Sequence, residues 1–76
     1  GDPIDVKGYR EGVNPPYDES AAANKIADET INKKTIIVVD TQGLSDMAVV
    51  GLRRALAARN VPADEVKWAY GGRKAR

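Results

Sequence analysis

The chain has 76 residues, enough for one small domain with a modest core. It contains no Cys, no His and no Phe, which removes disulfides, thiol nucleophiles, imidazole bases and the usual zinc ligands. Any catalysis therefore falls to carboxylates, lysines, hydroxyls or a hard metal held by oxygen. The net charge of +1 conceals an asymmetry: residues 1–50 carry five Lys/Arg against nine Asp/Glu (−4), and residues 51–76 carry seven against two (+5). No apolar run approaches membrane-spanning length, and no signal-like segment is present. The chain opens on Gly1, as expected of a domain excised from a longer protein.

In chain order, Ile4 to Tyr9 (IDVKGY) alternates, so Ile4 and Val6 share one strand face while Asp5, Lys7 and Tyr9 share the other. Residues 10–17, with Gly12, Asn14, Pro15 and Pro16, form a loop that Tyr17 is expected to pin to the body. Asp18 or Ser20 then caps a helix reaching about Asn32. Ala22, Ala23, Ile26, Ala27, Thr30 and Ile31 make its inward stripe, and Lys25, Asp28, Glu29 and Asn32 face solvent.

Thr35 to Asp40 (TIIVVD) holds four consecutive β-branched apolar residues, the pattern of a central strand buried on both faces. All of Ile36, Ile37, Val38 and Val39 are thus expected to be nearly inaccessible. Thr41-Gln42-Gly43 reads as a turn, Ser45 as an N-cap, and Leu44 as a staple onto Val49. The second helix runs from about Asp46 to Arg59 with Val49, Leu52, Ala55 and Leu56 inward, flanked by Met47 and Ala48, and Asn60-Val61-Pro62 stops it. Val66 to Tyr70 (VKWAY) alternates again, with Val66, Trp68 and Tyr70 on one face. Gly71-Gly72 ends that strand before a basic tail expected to be flexible.

The order is β-α-β-α-β, an α/β domain of two or three layers. Its short connectors predict a parallel first pair joined by a right-handed crossover. The three-stranded sheet is parallel or mixed, according to the orientation of the last strand.

Three places could carry chemistry. Asp5 and Lys7, at i and i+2 on a strand, emerge on one face a few ångströms apart. The carboxylate can hold a divalent cation while the ammonium steadies charge developing on phosphorus; an ordinary ion pair is the plainer alternative. The turn at Asp40 and Thr41 lies where ligands of open α/β sheets bind, but it is neither a dinucleotide fingerprint nor a P-loop. Asn24 and Lys25 sit on the first helix, Asn24 bordering the alanine stripe. The basic residues Arg53, Arg54, Arg73 and Lys74 could add sequence-independent contacts to phosphate, or serve only as solvated surface.

The succession D-x-K on a strand, A-N-K-I on a helix, K-K-T-I-I-V-V-D, then L-S-D, L-R-R-A-L and V-K-W-A-Y resembles the C-terminal toxin domains of contact-dependent growth inhibition systems and related polymorphic bacterial toxins. Specifically, it is similar to those with a PD-(D/E)XK-like nuclease fold, over roughly residues 4–70. The resemblance implies a restriction-endonuclease-like core fragment, the C-terminal part of a larger nuclease domain. Asp5 would be the second acidic metal ligand, Lys7 the motif lysine and Asn24 the polar helix residue. It implies Mg2+ or Mn2+, hydrolysis of RNA (tRNA) or DNA, a cognate immunity protein as partner, and delivery from a secreting cell into a target-cell cytoplasm. The family's first acidic residue lies on an earlier strand, so either that strand precedes Gly1 or Glu19 or Asp40 substitutes for it. The rival reading is a non-enzymatic α/β module that binds a protein partner.

Overall fold

A computed structural model describes residues 3–69 of the chain. Its centre is strand β2 (Ile36–Gly43), with β1 (Ile4–Arg10) on one side and β3 (Val66–Ala69) on the other. Both pairings are parallel, so the sheet is parallel throughout, in chain order β1-β2-β3. Helix α1 (Glu19–Ala27) continues without a break into a π-helical turn (Asp28–Asn32), and α2 (Asp46–Ala58) bridges β2 to β3. A single 3-10 turn (Ala63–Glu65) leads into β3. The last strand, whose orientation the sequence leaves open, is parallel because α2 carries the chain back along the sheet just as α1 does.

Two crossovers that step across the sheet in the same direction, each right-handed, place both helices on one face. The core sits between them and the sheet: Ala22, Ala23 and Ile26 of α1, Leu52 and Leu56 of α2, Ile37 and Val39 of β2, and Val66 of β3. The alanines let α1 lie close to the sheet, as their spacing predicts. The domain therefore has two layers, and the other sheet face carries none of the described elements.

That bare face corrects two expectations. Ile36 and Val38 are only half-buried, whereas Ile37 and Val39 are fully buried, so the β-branched run is covered on one side alone. The alternation of β1 is as expected, but its apolar face is the outer one: Ile4 and Val6 are each 66% exposed. In-register pairing of Asp5 with Ile37 and of Lys7 with Val39 puts the charged face of β1 under the helices.

The caps fall where the residue types put them. The Asp18 carboxylate accepts from Ala21 N–H at 3.1 Å, and Ser45 Oγ accepts from Ala48 N–H at 3.1 Å. At the end of α2, Asn60 takes φ 63°, with Asn60 N–H donating to the Ala57 carbonyl and Val61 N–H to that of Leu56. This paired closure satisfies the last carbonyls before Pro62 is reached. Met47, expected beside the inward stripe, is 85% exposed.

The expected turn at Thr41-Gln42-Gly43 is extended strand instead. Thr41 Oγ1 donates to the Ala69 carbonyl at 2.7 Å, holding this end of β2 to β3. On the other side the β1 register shifts, from Gly8 opposite Asp40 to Arg10 opposite Gly43. A Cβ at Gly43 would overlap the Tyr9 carbonyl oxygen, so the shift requires glycine there.

Candidate functional site

The end of the first helix decides the site. Glu29, expected on the solvent face, and Ile31, expected inward, are reversed. Glu29 lies three residues after Ile26 and seven after Ala22, which puts it on their inward side of the helix, and Ile31 falls on the far side. Glu29 is buried with 8% exposure, Thr30 is buried beside it, and Ile31 is 39% exposed. Thr30 Oγ1 donates to the Ile26 carbonyl at 2.9 Å, back onto the preceding turn. Lys34, at φ 56°, then reverses the chain into β2.

Glu29 thereby meets the charged face of β1. Lys7 Nζ lies 3.0 Å from Glu29 Oε2 and 3.0 Å from Asp5 Oδ2, and Lys25 Nζ lies 3.6 Å from the same Glu29 oxygen. The Lys7 and Glu29 side chains are largely buried, whereas that of Asp5 is half exposed. Burial alone would pull the Lys7 pKa down, but hydrogen bonds and charges from Asp5 and Glu29 outweigh it and hold it above the ordinary value. The hydrogen bond from Lys7, then its charge, hold the Asp5 carboxyl below its ordinary value. The cluster thus sets the Lys7 ammonium between Asp5 and Glu29 and opens to solvent on the Asp5 side.

Beside Lys7 a cleft of about 550 Å³ runs along the end of β1, the loop of residues 11–18 and one side of α1. Tyr9 and Tyr17 line it, their ring centroids 5.5 Å apart and inclined at 57°. Burial pushes the Tyr17 hydroxyl up to about 12. That hydroxyl is buried with no hydrogen-bond partner among the described residues.

The other residues singled out in the sequence lie elsewhere. Asn24 Oδ1 accepts from Arg59 Nε at 2.8 Å, so this side chain joins the two helices rather than Asp5 and Lys7. Asp40 Oδ1 accepts from Gln42 N–H at 2.9 Å, a local loop. Glu19 lies where a Cβ on Gly51 of α2 would meet it. Neither supplies a carboxylate to the cluster. The start of α2 is occupied by the chain itself: Ser45 N–H donates to Glu11 Oε1 at 2.5 Å. Because the strand order never reverses, no switch-point crevice forms there. Arg53 sits over the Trp68 ring, 4.7 Å from its centroid, on the β3 side of the domain, and Arg54 is exposed. Arg73, Lys74 and Tyr70 lie outside the described residues, as does the tail.

Glu29 is the residue that the sequence reading puts on the wrong face: its spacing from Ala22 and Ile26 is inward, but its charge suggests solvent. The signal that points to it is Lys7 itself, an ammonium on the inward face of a strand, which demands a carboxylate from the helix above.

In comparisons with protein-family models, curated proteins and solved structures, the chain matches none. Fold and site alone define its class: a two-layer, all-parallel α/β domain with a lysine clamped between two carboxylates at one sheet edge.

Asp5 Oδ2 and Glu29 Oε2 converge on Lys7 Nζ, so the ammonium fills that point. A hard divalent cation would have to be held by the remaining oxygens of the two carboxylates, with water and substrate oxygens completing the shell. Among the described residues no group of three or more acidic side chains gathers, and Asp5 and Glu29 are the two carboxylates beside Lys7.

Proposed function

We propose that the domain hydrolyses phosphodiesters of nucleic acid at Asp5, Lys7 and Glu29, in the manner of a metal-dependent nuclease. The observation that carries this reading is the second carboxylate. The resemblance of D-x-K to nuclease motifs calls for another acid, and Glu29 Oε2 stands 3.0 Å from the motif lysine. Magnesium or manganese bound to the two carboxylates would supply Lewis-acid polarisation of a phosphoryl oxygen.

The protein's own groups have separable parts. Lys7, its pKa raised, is an ammonium at neutrality and acts by charge on a phosphoryl oxygen, not as a base. Asp5, its pKa lowered, is a carboxylate and serves as ligand, not as acid. In hydrolysis one P–O bond forms from water, which gives up a proton to solvent, and one ester P–O bond breaks. The departing alkoxide takes up a proton from solvent, so the protons balance. The same sequence resemblance extends the proposal to a delivered bacterial toxin, with tRNA or DNA as target and an immunity protein to restrain it.

End-labelled RNA and DNA oligonucleotides, incubated with Mn2+, test the reading. The wild type should cut, Lys7→Gln and Asp5→Asn should not, and each variant should keep its far-UV dichroism. Cutting that survives in the Asp5→Asn/Glu29→Gln double variant would remove the chemistry from this cluster.

A second reading has its own observation. All-parallel sheets are ordinarily covered on both faces, and here Ile4, Val6, Ile36 and Val38 leave one face apolar and open. A non-enzymatic module that binds protein through this face is the alternative. It predicts no metal-dependent cleavage, and binding to a partner that Val6→Asp abolishes.

A further inference from the structure

We infer that the cleft beside Lys7 takes single-stranded nucleic acid, with an unpaired base against its tyrosine and proline wall and the flanking phosphates on Lys25 and Arg10. The inference rests on the hydrolytic reading for the polymer it names, and on the cleft itself for the strandedness.

Charge selects a polyanion. Three cations, Lys7, Arg10 and Lys25, line the cleft. Lys7 is already held by Asp5 and Glu29, so Arg10 and the exposed Lys25, 3.6 Å from Glu29, are the charges a ligand meets. Among the described residues Asp18 is the carboxylate on the walls. That carboxylate already caps α1 through Ala21 N–H at 3.1 Å. Arg10 makes no ion pair among the described residues, although it stands at the end of β1 next to the register shift. A ligand that meets these cations carries more than one negative charge or repeats them along a backbone.

The surface between the cations selects a base. Tyr9, Tyr17, Pro15 and Pro16 give it flat rings, and aromatic walls accept bases of any identity by stacking. The Tyr17 hydroxyl itself is buried, so what Tyr17 offers a ligand is its ring.

Size excludes the duplex. A volume of about 550 Å³ suits one or two nucleotides, within the ordinary range of small-ligand sites. A base inside a duplex is stacked and paired, and reaches such a wall only after being flipped out, which costs a few kcal/mol in unpairing. An unpaired strand reaches it without that cost. The order of groups then sets the geometry of cleavage: Lys7 belongs both to the cleft and to the acidic cluster, so a phosphate leaving the wall arrives beside Asp5 and Glu29.

The test is fluorescence anisotropy with a labelled ten-nucleotide oligo(dT) and a blunt hairpin duplex, both in EDTA so that no turnover occurs. The single strand should bind at least tenfold tighter than the hairpin. Arg10→Ala should weaken single-strand binding several-fold and reduce its salt slope by about one. Tyr17→Leu should weaken it without changing that slope. Arg10→Ala touches no core contact, so it remains decisive if Tyr17→Leu loses its fold. Equal affinity for strand and hairpin, or strand binding untouched by Arg10→Ala, overturns the inference. The two proposals separate when Mn2+ is restored. Cleavage without strand preference would leave the hydrolytic reading standing and this one overturned. Strand-selective binding with no cleavage would do the reverse.

Discussion

Lys7 on β1 and Glu29 on the π-helical turn meet with Nζ 3.0 Å from Oε2, both side chains largely buried. This pair ties the edge strand to the helix above it at the point where the apolar core runs out. A charge left behind by removal of its partner keeps its desolvation cost, so the two residues must be energetically coupled. Glu29→Gln should cost about 1.5–3 kcal/mol, the range for hydrogen bonds to charged groups. Adding Lys7→Met should then cost less than the same change in the wild type, by at least about 0.5 kcal/mol. Urea denaturation of the four proteins gives the cycle, and strict additivity would contradict a coupled pair.

Acid should act partly through Asp5. Its folded pKa is depressed below 3.8 by the hydrogen bond from Lys7, so its stabilising contribution is present above that value. The contribution is lost as pH falls through the lowered pKa. Asp28, lowered chiefly by its hydrogen bond from Asn32, behaves likewise. The thermal midpoint of the wild type should therefore drop on acidification below 3.8, and Asp5→Asn should make that drop shallower without abolishing it. Parallel curves for the two proteins would show that Asp5 titrates alike in the folded and unfolded chain.

The two isoleucines of β2 should differ sharply. Ile37 is wholly buried beneath both helices, and truncation to Ala should cost about 2–5 kcal/mol, a large part of the stability of so small a domain. Ile36, on the open face, should cost well under that. Similar losses at both positions would mean that something covers the outer face in solution.

How much of this is legible in the sequence depends on which physical rule each residue obeys. Caps at Asp18 and Ser45 are readable because a side-chain oxygen at a helix start is a local matter. The parallel pairing of β1 with β2 comes from chain length and handedness. Which face of β1 points inward is not readable, since Ile36–Val39 is apolar on both faces and accepts either. That choice is made by the helices, through two crossovers that step in one direction. Glu29 is missed for a different reason: it stands at the helical spacing of Ala22 and Ile26, and its charge alone assigns it to solvent. Of the candidate site, Asp5 and Lys7 can be paired from their spacing alone, whereas Asn24, singled out beside the alanine stripe and then by resemblance, bonds to Arg59 instead.

Gly43 is where sheet irregularity and site meet. Gly43→Ala would drive a methyl into the Tyr9 carbonyl and force β1 away from β2. The expected cost is about 1–3 kcal/mol, typical of overpacking. It should weaken single-strand binding as well, because Tyr9 and Arg10 line the cleft. An unchanged urea midpoint would show that the strands part more easily than their contact implies.

The most direct test of a hydrolytic site is a manganese titration followed by water-proton relaxation, on the wild type, Asp5→Asn and Glu29→Gln. If the two carboxylates hold the ion together, the wild type binds one Mn2+ and each substitution weakens binding at least tenfold. Equal affinity in all three proteins would contradict a metal centre at Asp5 and Glu29, and with it the proposed nuclease.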